Sequence, residues 1–136
     1  MTTSNIKDVI QCDIHKVWET ALAVEHYHTW RSDVSKTEVI DEKHFIEYTK
    51  DGYSTKFMVT VVEPYKRLEL DMENSHIKGH WTVVFASKSS ETEINFTASV
   101  TAKMLFMRPT GKSVFEQIYL KKEQAQFIMD LKKSLS

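Results

Sequence analysis

Alternation of apolar and polar residues dominates the middle of the chain. In "TEINFTASVTA", residues 92–102, Ile94, Phe96, Ala98 and Val100 share one face of a strand, and Glu93, Asn95, Thr97 and Ser99 share the other. "TKFMVTVVE" repeats the pattern with Phe57, Val59 and Val61, "RLELDME" with Leu68, Leu70 and Met72, and "HWTVVFAS" with Trp81, Val83 and Phe85. One dry face and one wet face is the signature of an antiparallel sheet. Shorter strands are expected near 4–11, 34–40 and 43–49. The phase of "HFIEY" in the last of these places Tyr48 inward with Ile46.

Two other stretches have a helical period. Asp13 is an N-cap candidate for "IHKVWETALA", where Ile14, Val17, Trp18 and Leu22 follow helical spacing. A second short helical turn covers "VEHYHTW", with Tyr27 and Trp30 three apart as a packing pair. The chain ends in a long helix. Ser113 and Glu116 in "SVFE" read as a capping box, and the pattern runs to about Lys133. Glu116, Lys122, Glu123, Gln126, Asp130 and Lys133 fall on its polar side. Val114, Ile118, Leu120, Ala125, Phe127, Ile128, Met129, Leu131 and Leu135 spread over roughly 200° of the other side, twice the usual apolar stripe. So wide a stripe suggests a helix wrapped by a curved sheet. The expected order is strand, two short helices, about six strands and a terminal helix.

Composition narrows the function classes. A chain of 136 residues fits one domain spanning 1–136. The net charge of −1 gives no basic footprint for nucleic acid or an anionic membrane. The single cysteine, Cys12, rules out an intrachain disulfide and fits a reducing compartment. "MTTSNIKDVI" lacks the pattern of a signal peptide, and no apolar run approaches the ~20 residues of a membrane span. A cytoplasmic location is expected.

"EHYHTWRSDV", residues 25–34, looks at first like a metal site. On a strand His26 and His28 would share a face, but in a helical context they point about 200° apart, and zinc wants further ligands. His76 and His80 are four apart, but Gly79 and the following strand pattern argue against a helix there. No metal is expected. Gly-x-Ser-x-Gly, Gly-x-Gly-x-x-Gly and a phosphate loop are all missing, so a serine nucleophile and nucleotide cofactors lack their usual motifs. No cofactor and no catalytic residue is expected.

The element order, together with "IQCDIHKVWETA", the "YHTWRSDV" corner, "VVEPYKRLEL" around Pro64 and "GHWTVVF" followed by "ETEINFTASV", resembles the START-like or SRPBCC superfamily. That superfamily includes polyketide cyclases and pollen-allergen-type proteins. The resemblance covers nearly the whole chain and implies an α+β helix-grip fold, a curved antiparallel sheet around a long C-terminal helix. This chain departs from many relatives in its scarcity of glycine at strand turns.

The resemblance further implies a cavity between sheet and helix for a hydrophobic small molecule, lipid or polyketide-like. Its candidate lining is Trp30 at the mouth, Arg31 meeting an anionic head, Tyr48 as a phenol handle, and a wall of Phe57, Val59, Leu70, Trp81, Val83, Phe85, Phe96 and Met104. Gln117, Lys121 and Gln124, spaced i, i+4, i+7, draw one polar line within the apolar side of the terminal helix. They either touch a ligand or lie at the edge of the sheet's grip, with the lysine snorkelling out. Two other functions stay open. A cyclase or dehydratase would need an acid or base from among Tyr48, His44, Arg31 and Lys121. A co-chaperone-like interaction module would need an apolar outer sheet face, against which the polar residues of 93–101 count.

Overall fold

A computed structural model describes residues 1–103 and 112–136, with the side chains of the terminal helix described from residue 117 onward. Met104 and the Ser113–Glu116 capping box therefore lie outside the described side chains. Strand β1 spans Thr2–Ile10. Helix α1 spans Ile14–Leu22, and a 3₁₀ turn spans Val24–Thr29. Six strands follow: β2 Lys36–Val39, β3 His44–Tyr48, β4 Ser54–Glu63, β5 Arg67–Glu73, β6 Ile77–Lys88 and β7 Glu91–Ala102. Helix α2, Lys112–Ser134, is the last element.

All seven strands form one antiparallel sheet in the order β1-β7-β6-β5-β4-β3-β2. Strands β2 to β7 are consecutive neighbours, and β1 pairs with the last of them, with Thr2 opposite Val100 and Ile10 opposite Thr92. Helix α1 and the 3₁₀ turn carry the chain from one sheet edge to the other. The carboxylate of Asp13 caps α1 as its sequence position suggests, accepting from the backbone N–H groups of His15 and Lys16. A register shift between Val59 and Val61 marks a bulge in β4, a device that bends a strand and coils its sheet.

The alternation of β7 is realised in full, with Ile94, Phe96, Ala98 and Val100 all buried. Their side chains meet α1 residues Val17, Trp18 and Ala21 and α2 residues Leu120, Phe127, Ile128 and Leu131 in one core. The scarcity of turn glycines has a local answer. Three described non-strand positions adopt left-handed φ, and only Gly52 among them is glycine; the others are Tyr65 and Ser89. Tyr65 tolerates that unfavourable backbone while its ring packs on His15 and Trp18, with centroids at 4.7 and 6.0 Å.

Two sequence expectations need correction. The buried stripe of α2 is Leu120, Gln124, Phe127, Ile128 and Leu131, whereas Ile118 and Met129 are 65% and 60% exposed. That is an ordinary i, i+4, i+7, i+8, i+11 stripe. The sheet is curved, but the helix is not apolar all the way round the 200° that its composition suggested. Asp130, placed on the wet side by the helical wheel, is buried. Its carboxylate accepts from the backbone N–H and the hydroxyl of Ser32, at 2.8 and 2.9 Å, and so ties the corner after the 3₁₀ turn to α2.

The outer face of the sheet is polar across several strands. Asn5 donates to Asn95 and Thr97, Thr3 pairs with Ser99, and His80 lies between Asp71 at 2.6 Å and Glu69 at 2.7 Å. Partial burial works against the charged form of His80, but the bonds to Asp71 and Glu69 outweigh it and hold its pKa above the ordinary 6.5. The same contact holds Glu69 below its ordinary 4.5. A raised histidine stabilises the fold below its unfolded pKa and stops doing so as pH rises through its folded pKa. A lowered carboxylate does the reverse as pH falls. His80→Asn should therefore lower stability most between about pH 4.5 and 6.5. Urea midpoints measured across pH should show the gap to the parent closing on either side of that window.

A cavity between the sheet and the terminal helix

Between the concave face of the sheet and α2 lies a cavity of about 120 Å³. Four rings stand in its wall, Phe57 from β4, Trp81 from β6, Phe96 from β7 and Phe127 from α2, with Tyr48, Tyr53 and Tyr119 also in the lining beside polar Thr49, Thr55 and Asn74. The four meet edge to face, with Trp81 5.1 Å from Phe57 and 5.3 Å from Phe96, and Phe127 5.7 Å from Phe96. A smaller apolar chamber of about 20 Å³ lies deeper, lined by Leu68, Leu70, Val83, Phe85 and Ile94. Glu47, Trp81, Phe96 and Phe127 line both, so these four side chains stand between the two spaces.

One corner of the cavity is ionic. Arg31 follows the 3₁₀ turn, where its N–H donates to the Tyr27 carbonyl at 2.8 Å. Its side chain is 4% exposed. Nη1 donates to Glu47 Oε2 at 2.8 Å, while Nη2 and Nε grip the two oxygens of Asp33 at 2.7 and 3.2 Å. The guanidinium also lies over the rings of Tyr27 and Phe127, at 5.0 and 5.2 Å. Burial alone would lower the pKa of Arg31, but Glu47 and Asp33 more than offset this and raise it, so it stays charged. Burial raises the Glu47 carboxyl above its ordinary value, against the pull of Arg31 and with the help of Asp33 and Glu123. Tyr27, whose hydroxyl donates to the Ala21 carbonyl, is a buried phenol with its pKa raised by burial.

The candidate residues scatter between wall, rim and scaffold. Phe57, Trp81, Phe96, Arg31 and Gln124 line the larger space, and Leu70, Val83 and Phe85 line the deeper one. Val59 and Trp30 pack against the core without lining either space. Trp30 instead packs edge-on to Tyr27 and Phe127. The phase of β3 is the reverse of that read from "HFIEY": Phe45 and Glu47 are buried, and Tyr48 reaches only the rim, its hydroxyl donating to Glu38. Strands this short carry too few residues for alternation to fix their phase.

The polar line of α2 also resolves. Gln117 and Lys121 are exposed and donate to the carbonyls of Thr3 and Asn5, at 3.2 and 2.9 Å, so they stitch the helix to the edge strand β1. Gln124 lies deeper, 2% exposed, with Nε2 donating to the carbonyls of Ser4 and Phe96. Its Oε1 is buried without a partner among the described residues. Arg31 does not offer a free cation for an anionic head, because two internal carboxylates already occupy it. His44 bonds Asp41 at an exposed turn, and Lys121 sits on β1, so the four acid–base candidates do not converge. Glu47 was missed. A glutamate in a short strand looks like a solvent-facing residue until Arg31, 16 positions earlier, is brought beside it. Among the described residues, no three His, Cys, Asp or Glu side chains form a group that could hold a metal ion, and no helix is long and apolar enough to cross a membrane.

The same architecture occurs in solved structures of low sequence identity. A START superfamily protein from Mycobacterium smegmatis superposes with a TM-score of 0.83 at 10% identity, over 99% of this chain and 97% of that one. A conserved protein from Geobacillus kaustophilus gives 0.80 at 13% identity, over 99% and 95%. The di-domain ARO/CYC protein BexL gives 0.78 at 8% identity, over 98% of this chain and 46% of its own length. No curated protein sequence matches the chain. At such identities these likenesses establish the helix-grip fold alone. The sequence profile of one family matches residues 1–135, nearly the full length. With its seven-stranded sheet closed on a terminal helix, the chain belongs to the polyketide cyclase / dehydrase and lipid transport family.

Proposed function

We propose that the protein binds a small, largely apolar molecule in the cavity between sheet and α2, and acts by holding or carrying it without covalent chemistry. The observation that carries this reading is the wall itself: seven aromatic side chains around one space, with one ionic corner. Binding sites are commonly built this way, apolar with a few placed polar groups. At about 120 Å³ the space is smaller than an engineered cavity of about 150 Å³ that takes up benzene. A single ring or a short branched chain fits its scale, and a larger lipid or polyketide would need the walls to part.

Filling the cavity tests the reading. Ala98 is 1% exposed and lines the larger space, so Ala98→Leu puts three extra carbons where the ligand would sit. The variant should remain folded, at a cost of about 1–3 kcal/mol for overpacking. Uptake of small aromatic probes, followed by native mass spectrometry and by NMR shifts of the Trp81 indole, should be lost. Equal uptake by the filled variant would place binding elsewhere.

A second reading is enzymatic and rests on Glu47. A buried carboxyl with a raised pKa in a cavity is a candidate for proton transfer. Its hydrogen-bond partner among the described residues, Arg31, does not give up a proton, which leaves Glu47 without an acid–base partner and ranks this reading second.

A further inference from the structure

The polar groups of the cavity are unbalanced in two ways. Among the described lining residues Asp33, Glu47 and Glu123 are carboxylates and Arg31 is the one cation, so the lining carries two surplus negative charges. The cation is also already matched by two carboxylates, with three of its five N–H groups committed to Asp33 and Glu47. One buried acceptor, by contrast, lacks a donor. Gln124 Oε1 is buried with no partner, in a side chain fixed by its own amide nitrogen on Ser4 and Phe96. Glu47, also in the lining, commits Oε2 to Arg31 at 2.8 Å and keeps a second carboxylate oxygen. A buried acceptor without a donor is costly, and native interiors rarely leave one so.

Resting on the binding function above, we propose that the cavity selects a ligand with a hydrogen-bond-donating head, a hydroxyl or an ammonium on a compact apolar body, and refuses carboxylates. A donor completes Gln124 Oε1 or meets the Glu47 carboxylate. An ammonium also neutralises part of the surplus charge and lies among the faces and edges of four aromatic rings. A carboxylate would surrender its hydration to meet Glu47, Asp33 and Glu123, with no unmatched cation to receive it.

Three probes of nearly equal size separate these cases: benzyl alcohol, benzylamine and benzoate. Each is titrated into the full-length protein at pH 7, following the Trp81 indole and the Gln124 side-chain amide by NMR. The alcohol, the amine or both should shift these signals, and benzoate at the same concentration should not. An amine-only response identifies the charge as the selector, and an alcohol-only response identifies the unpaired acceptor; either supports the proposal. Glu47→Gln keeps an oxygen for Arg31 and should weaken benzylamine about tenfold, the scale of one charge-assisted hydrogen bond. Should that variant fold poorly, Glu123→Gln at the half-exposed rim removes lining charge without touching Arg31 and should weaken the amine relative to the alcohol. Benzoate binding as tightly as the other two would overturn the selectivity and leave apolar binding intact. Silence from all three probes, with the spectrum still that of a folded protein, would overturn both.

Discussion

Replacing Arg31 by methionine is expected to destabilise the fold by about 3–5 kcal/mol, the usual cost of removing one partner from a buried ion pair. Glu47, 9% exposed, would be left with a buried charge and no cation, while Asp33, with its side chain 35% exposed, can turn to water. The loss should therefore depend on pH in a definite direction. Arg31 pulls the Glu47 pKa down against burial, so in Arg31→Met that carboxyl rises further. A raised carboxyl favours the fold in its protonated form, and that contribution disappears as pH rises through the folded pKa. The deficit should be largest near neutrality and shrink as the solution is acidified towards the Glu47 pKa. Adding Glu47→Leu to Arg31→Met should recover much of the loss at neutral pH, because an apolar pair can replace a buried ionic one at little cost. Urea unfolding of the three proteins at several pH values measures all of this. A loss below 1 kcal/mol for the single variant, or no recovery in the double, would mean that the ionic corner does not depend on this pairing.

The long strands were legible because each carries enough residues for alternation to fix both existence and phase. In β7, residues 91–102, every apolar position falls on the buried face. Strand β3 has five residues, HFIEY, and its true phase buries Phe45 and Glu47. A reader weighing Ile46 and Tyr48 against one phenylalanine and one glutamate chooses the wrong face, since a lone glutamate is normally exposed. What turns Glu47 inward is Arg31, a partner set by the path of the 3₁₀ turn across the sheet edge. Asp130 is hidden for the same reason, because two of its donors come from Ser32, 98 positions away, beside the local one from Gln126. Local periodicity reports which faces are apolar. It does not report polar groups buried in pairs, and in this protein those pairs form the distinctive corner of the cavity. The cluster "YHTWRSDV" did signal a folded corner, with Tyr27 and Trp30 packed together 5.3 Å apart as their spacing suggested. The role of Arg31 could not be read until its two carboxylates were in place.

Phe127→Ala should combine a loss of stability as large as that of Arg31→Met with a gain in binding. The ring is 7% exposed and stands at the centre of an aromatic cluster, 5.6 Å from Trp30, 5.7 Å from Phe96 and 6.4 Å from Tyr27. Truncating a buried phenylalanine costs about 3–5 kcal/mol, through lost burial and the void left behind. The upper half of that range is expected, because the Arg31 guanidinium also loses a ring face that it covers at 5.2 Å. The void has a particular position. Phe127 lines both the space of about 120 Å³ and the deeper one of about 20 Å³, so its removal should join them into a single larger cavity. A ligand that binds only the folded state stabilises it by about 2.7 kcal/mol at a concentration a hundredfold above Kd. Naphthalene, too large for the parent cavity, should therefore raise the unfolding midpoint of Phe127→Ala and leave that of the parent almost unchanged. Benzene should stabilise both. If naphthalene fails to rescue a variant that has lost the expected stability, the walls have collapsed into the void and the two spaces do not communicate through this ring. If the variant loses little stability to begin with, Phe127 is not the keystone that its three ring contacts and its place over Arg31 make it.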